Sequence, residues 1–208
     1  MSPRTADPEV AEALIEAGAR LVAAHEPLTA RRLATEVGAS TSAVYTHFGS
    51  MDELRRAIRR TGFERLAEYL TSYEHTDDPV ADLIKQGWAY RANALANPTM
   101  YRVMFMEAPL DEADAEVGLY TFEMVIAGVQ RCIDAGRFDE REAGEMALEL
   151  WAASHGAVTL YLAGLLDTDA IDRLTTSMGR ALFLSFGDDQ EELLASLKRA
   201  TRWIKTRL

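Results

Sequence analysis

The chain has 208 residues, 48% hydrophobic and 26% charged, which is the balance of a folded globule and allows one large domain or a small one joined to a middling one. A single cysteine, Cys132, excludes an intrachain disulfide framework, no run of about 18 apolar residues offers a membrane span, and the residues after Met1 lack the apolar stretch of a targeting peptide, so a reducing cytoplasm and no membrane partner are expected. The net charge of -11 argues against a nucleic-acid partner only until it is divided along the chain: residues 1–65 hold nine Arg against nine Asp/Glu, and 28–65 hold seven Arg against four acids, so the acid excess belongs to the remainder.

Helical periodicity dominates and no alternating β-branched run suggests a strand, so an all-α fold is predicted. Asp7-Pro8 is a cap followed by proline at the first helical position, and Val10, Leu14, Ala17 and Leu21 recur at helical steps, predicting a helix over about 8–24. Thr29 caps a short second helix that stops at Gly38, and Ser40 caps a third ending near Phe48. Ser50-Met51-Asp52-Glu53 is a capping box for a fourth, with Leu54, Ile58, Leu66, Leu70 and Tyr73 on its apolar face. The polar break Glu74-His75-Thr76-Asp77 precedes Asp78-Pro79, which repeats the cap-plus-proline device. A boundary is therefore placed near 75: residues 1–50 form one domain, the helix over 51–74 connects, and 75–208 form a second. Further helices are predicted at about 79–97, 98–107, 112–135, 140–165, 169–186 and 189–207, punctuated by Asn97-Pro98, Pro109, Gly136 and Gly187, for ten in total.

Two helices of under ten residues, joined by three, are not stable alone in water, and a helix-turn-helix gives them a reason to exist. Ala34 is small where the second helix crosses the first, Gly38 supplies the left-handed turn, and Leu33, Val37 and Val44 pin both short helices to helix 1. The small side chains Thr41, Ser42 and Ala43 let the N-terminus of helix 3 press into a major groove, where hydroxyls and methyls meet base edges. Thr29, Tyr45, Thr46 and His47 are candidate donors to the flanking phosphates. The competing account is an ordinary αα-hairpin, which does not call for four hydroxyl-bearing residues around one short helix. Arg55, Arg56, Arg59 and Arg60 form a basic stripe, of which only Arg55 and Arg56 lie close enough to the helix start to neighbour DNA; such stripes are more often solvated faces.

Thr29, Leu33, Ala34, Val37-Gly38-Ala39-Ser40, Val44-Tyr45-Thr46-His47-Phe48 and Gly49-Ser50-Met51-Asp52-Glu53-Leu54 together resemble the TetR family of bacterial transcriptional regulators over residues 8–65. The resemblance implies an N-terminal three-helix DNA-binding domain, here including Ala39 and Ser40 in the DNA-facing turn, and a larger helical domain for ligand binding and dimerisation. It also implies a homodimeric repressor that binds a palindromic double-stranded DNA operator and releases it when a small molecule occupies the larger domain. Met51 stands where the family usually has lysine near a phosphate, which removes that contact or moves it to Arg55.

In the second segment Asn97-Pro98, Ala135-Gly136-Arg137-Phe138 and Leu150-Trp151-Ala152-Ala153-Ser154-His155-Gly156 resemble a subgroup of that family named for a Trp-x-x-x-His-Gly signature. Trp151 and His155 are one turn apart and share a face, so they either line a cavity with an aromatic wall and a polar handle or form a core pair. Trp88, Met100, Tyr101, Met104, Phe105 and Phe122 join them as candidate cavity residues, since flexible methionines and aromatics suit an adaptable apolar pocket. The expected effector is apolar or weakly polar; Arg91 and Arg102 are candidates for meeting an anion, with pairing to local acids the commoner use. Ala152, Gly156 and Ala163, flanked by Ala153, Ala157 and Gly164, form a strip of small residues that permits close helix approach, either within the subunit or across a dimer made by the helices over 140–165 and 169–186. The last helix, with Leu193, Leu197, Ala200, Ile204 and Leu208 on one face, extends beyond the usual end.

An enzyme is the alternative of another class. Ser154 and His155 are adjacent and point about 100° apart on a helix, no nucleophile elbow, phosphate loop or His-Glu-x-x-His is present, and the four histidines show no zinc spacing. No catalytic residue, metal or cofactor is therefore predicted. A helical interaction protein that has kept the fold and lost DNA binding is the remaining alternative.

Overall fold

The computed structural model describes residues 7–206, all of whose regular elements are α-helices. The expectations for Met1 onward and for Leu208 lie outside the described residues. The helices are α1 (Pro8–Ala23), α2 (Ala30–Val37), α3 (Thr41–Phe48), α4 (Met51–Leu70), α5 (Pro79–Ala96), α6 (Pro98–Phe105), α7 (Glu112–Glu116), α8 (Leu119–Asp134), α9 (Ala143–Leu162), α10 (Thr168–Ser185) and α11 (Gln190–Lys205). They group into two compact units: residues up to Arg65 together with Asn97–Leu119, and Leu66–Ala96 together with the residues from Tyr120 onward.

Local chemistry sets the short helices of the first unit. Asp7, Thr29 and Ser40 each occupy an N-cap, their side-chain oxygens accepting from the backbone of Glu9, Arg32 and Ala43. Ser50 accepts from the Glu53 amide at 3.1 Å, the first half of the expected capping box. Gly38 adopts φ 67°, ψ 25°, the left-handed conformation that turns α2 into α3. Leu14, Ala17, Leu33, Val44, Leu54 and Ile58 are fully buried in this unit; each large aliphatic side chain among them contributes about 1.5–3 kcal/mol, which two eight-residue helices lack on their own.

The expected cut near residue 75 does not match this grouping, because α6 and α7 join the first unit. The apolar face of α6, Met100, Tyr101, Val103 and Met104, is buried, and α6 packs on α1. Phe105 meets Phe63 of α4 edge-on at 5.5 Å between ring centroids. The helix predicted over 112–135 is divided at Val117-Gly118 into the single turn α7 and the long α8. A Cβ at Gly118 would lie 2.3 Å from the far end of the Phe63 ring, so the chain there is drawn against a ring that has to move to admit any larger residue. α4 also ends at Leu70 rather than 74, with Tyr73 beyond it.

The second unit surrounds a core of Val80, Leu83, Val129, Cys132, Phe138, Met146, Phe183, Phe186 and Leu193. Burial pushes the Cys132 thiol up to about 12, so it stays protonated and inert. α11 packs along α5, and its Trp203 meets Trp88 and Tyr73 edge-on at 5.6 and 5.9 Å, with the Lys85 ammonium 5.9 Å from the Trp203 ring. Arg137 grips the fully buried Asp188 carboxylate with two hydrogen bonds of 2.7 and 3.0 Å, and Ser196 of α11 donates to Asp78 at 2.9 Å; together these fix α11 to the start of α5.

Gly118→Ala should destabilise the protein by about 1–3 kcal/mol, the range for forcing a methyl into a packed core. Gly179→Ala, in an interior turn of α10 where a Cβ meets nothing within 4 Å, should stabilise it by about 0.5–1 kcal/mol. Denaturant titration of both variants checks the pair.

Candidate functional site

Two surfaces stand out, one in each unit. In the first, α3 presents its N-terminal half outward: Thr41, Ser42, Tyr45 and Thr46 are exposed and Ala43 is half-buried, while Val44 is buried and holds the helix down. Ser40 and Ser42 hydroxyls lie 2.8 Å apart, so the cap and the first turn share a hydrogen bond. The Thr46 hydroxyl donates to the Ser42 carbonyl at 2.9 Å, inside the helix. Thr29 accepts from the Arg32 amide at 3.3 Å and keeps its own proton. Tyr45 is half-exposed; His47 is half-buried with its ring 6.0 Å from Phe48. Ala39 and Ser40 lie in the turn, and Arg55 is exposed in the first turns of α4.

Other arginines of the basic stripe are spent locally. Arg56 pairs with Glu53 at 2.7 Å and with Asp111, and Arg59 donates to the carbonyls of Val103 and Glu107. Arg55 is exposed near the start of α4.

In the second unit a cavity of about 320 Å³, open on one side, is lined by residues of α5, α8, α9, α10 and α11 and by Leu70 at the end of α4. Trp88, Trp151, Leu83, Val125, Leu150 and Phe183 give it apolar walls, and Leu197, Thr201 and Ile204 of α11 close one side. The volume and lining suit a small organic molecule. Of the predicted cavity residues, Trp88 and Trp151 line it. His155 stands behind them: its ring stacks on Trp151 at 5.0 Å, and its Nδ1 lies 3.2 Å from the hydroxyl of Tyr90, a lining residue. Burial lowers the His155 pKa below its ordinary value, so the imidazole is neutral at pH 7 and orients its neighbours rather than carrying charge. Phe122 packs edge-on against Trp151 at 6.2 Å. Met100, Tyr101, Met104 and Phe105 do not line this cavity, because α6 spends them in the core of the first unit. Arg102 lies on α6 as well.

Sequence reasoning missed Gln86, Asp172, Thr175, Thr176 and Arg180 as lining residues. Spacing carries a weak trace of three of them, since Asp172, Thr176 and Arg180 are a four-residue stripe on α10. Arg91, a candidate from sequence, lines the cavity and pairs with Asp172. Gln86 is buried and its side-chain oxygen has no hydrogen-bond donor. Among the described residues no group of three or more His, Cys, Asp or Glu is placed to hold a metal, and no helix is long and apolar enough to cross a membrane.

Residues 14–58 match the model of bacterial regulatory proteins of the tetR family, and residues 83–182 match that of the tetracyclin repressor-like C-terminal domain. An uncharacterized HTH-type transcriptional regulator of Mycobacterium tuberculosis, Rv0681, is 32% identical over 156 residues, 74% of this chain and 69% of its own length. The chain belongs to the TetR family. It is thus a helix-turn-helix transcriptional regulator, in a family of DNA-binding proteins rather than enzymes. Among solved structures, a TetR transcription regulator from Haloarcula marismortui matches with TM-score 0.68 and 25% identity, covering 84% of this chain and 98% of that one. A protein of unknown function from Rhodococcus sp. RHA1 matches with TM-score 0.71 and 23% identity, covering 89% and 99%. The cavity lies within the second unit, and α11, which closes it, lies beyond the matched C-terminal model.

Trp151 reports on the cavity because it forms part of its wall. Trp151→Ala should cost about 3–5 kcal/mol if the space stays empty, and less as neighbours collapse into it. A melting curve measures that cost, and a folded variant should lose the Trp151 share of any ligand-induced change in tryptophan emission while Trp88 still reports on the cavity.

Proposed function

We propose that this TetR-family regulator is a homodimeric repressor that binds a palindromic operator and is released when a small organic effector fills the cavity beside Trp151. The observation that carries this reading is the pairing of an exposed, hydroxyl-bearing α3 with an open cavity in the other unit, within one chain of this family. Thr41, Ser42 and Ala43 meet base edges; Tyr45, Thr29 and Arg55 meet phosphates, assisted by His47. The Trp151-x-x-x-His155-Gly156 signature supports placing the chain in the subgroup that bears it.

The dimer reading rests on the outer face of α9. Leu148, Ala152, Gly156 and Leu160 recur at four-residue steps and are all exposed in the single chain, Leu148 at 52% and Leu160 at 40%. A Cβ at Gly156 would meet nothing within 4 Å, so the small residue serves no packing inside the subunit. A second copy laid along this stripe, with the exposed Leu184 of α10 beside it, makes the four-helix bundle such a face requires. Gly156→Leu should leave the melting temperature of the subunit fold nearly unchanged and convert the dimer to monomer in light scattering; a Gly156→Leu protein that remains a tight dimer places the interface elsewhere.

The assignment of roles on α3 has its own test. Tyr45→Phe should weaken binding to all DNA sequences alike, whereas Thr41→Ala or Ser42→Ala should change preference at particular base pairs by about 1–3 kcal/mol. Binding-site selection with each variant distinguishes the two. Induction is tested by Gly179→Leu, which puts a side chain into open cavity space: operator affinity should persist while release by an effector is lost.

A further inference from the structure

The charged residues lining the cavity are Arg91, Arg180 and Asp172, so a protein of net charge -11 keeps a net positive lining around this apolar-walled cavity. The two members of the Arg91–Asp172 pair are unequally buried: the arginine side chain is 16% exposed and the aspartate 51%. The guanidinium belongs to the cavity wall, and the carboxylate reaches it from the solvent side. Burial also lowers the Arg91 pKa below the ordinary arginine value. Arg180 lies two turns along α10 from Asp172, with Thr176 between them on the same face, and it has no carboxylate within ion-pair distance among the described residues.

These facts constrain what enters. A neutral molecule that fills the cavity leaves the Arg91–Asp172 pair as it is and gives the exposed Arg180 guanidinium nothing to bind. A carboxylate replaces Asp172 on Arg91 one charge for one charge, Asp172 rotates back into water, and burial of the apolar body then drives binding. A cation is repelled by both arginines. We infer that the effector is an amphipathic monoanion, a carboxylate on an apolar body, whose head takes the place of Asp172 on Arg91 with Arg180 beside it. The inference rests on the cavity being the effector site, and it replaces the apolar or weakly polar molecule expected from the sequence with a charged one. Asp172 then acts as a built-in competitor that keeps the buried guanidinium paired until the ligand arrives.

The test uses the full-length protein, two acid–ester pairs (decanoate with methyl decanoate, 2-naphthoate with methyl 2-naphthoate) and calorimetry alongside tryptophan quenching. At least one acid should bind about tenfold or more tightly than its ester, the range for a hydrogen-bonded charged group. Arg91→Gln should bring that acid down to the affinity of its ester. Asp172→Asn, which removes the competitor at a half-exposed position, should raise acid affinity several-fold and leave the ester unchanged. Esters that bind as tightly as their acids, or an Asp172→Asn protein with unaltered acid affinity, overturn the anionic inference while leaving the cavity reading in place. If neither member of either pair binds, or if binding is untouched by Gly179→Leu, the cavity is not the site and both readings fall.

Discussion

An open space inside a helical bundle costs stability, because the atoms around it forgo the contacts a filled core would give. The second unit is organised around meeting that cost. One side of the cavity is α11, and α11 is held in place by polar contacts rather than by apolar packing alone: Arg137 grips Asp188 in a two-pronged ion pair, and Ser196 bonds to Asp78 at the head of α5. At the other end, Trp203 is wedged against Trp88 and Tyr73. With α11 tied to α5 at Ser196 and at Trp203, Leu197, Thr201 and the adjoining Ile204 wall the cavity without collapsing into it. The additional C-terminal helix, whose role its sequence left open, is thereby explained as a structural side of the cavity.

The first unit solves a different problem. The two helices of its helix-turn-helix are eight residues each and have no stability of their own, so every local device is in use: a hydroxyl cap at each start, a left-handed glycine between them, and full burial of Leu33 and Val44. On the outward face of α3, Ser42 bonds to the Ser40 cap and Thr46 bonds back to the helix, while Thr41 and Tyr45 stand exposed. α6 completes this unit with Met100, Tyr101 and Met104, a tertiary use of apolar residues that the helix pattern alone does not distinguish from lining a pocket.

What was legible in the sequence follows the range of the interactions involved. Caps, turns and the helix-turn-helix depend on residues two to four positions apart, and Thr29, Gly38, Ser40 and Ser50 announced them correctly. The apolar stripe of α6 was legible as a stripe, but which core it joins is decided by Phe63 and α1, distant in sequence. The same holds for Arg91: its partner Asp172 is on another helix far along the chain, and only the fold brings them together. Division of the 112–135 helix was hidden because the signal is one glycine, and its reason is the Phe63 ring lying against it. Trp151 was read as a cavity wall because an aromatic beside a histidine one turn away suggests a lined site; His155 turned out to brace that wall and Tyr90 rather than to face the space.

The central claim is that cavity occupancy and operator binding are linked, and linkage must be reciprocal: an effector that weakens operator affinity by some factor has its own affinity weakened by the operator by the same factor. The most direct measurement is calorimetric titration of an effector into the protein alone and into the protein saturated with its operator. The account predicts a lower effector affinity in the presence of the operator, by about 5- to 150-fold for a coupling of 1–3 kcal/mol, matching the loss of operator affinity measured in the opposite direction. Equal effector affinity with and without operator DNA would contradict it.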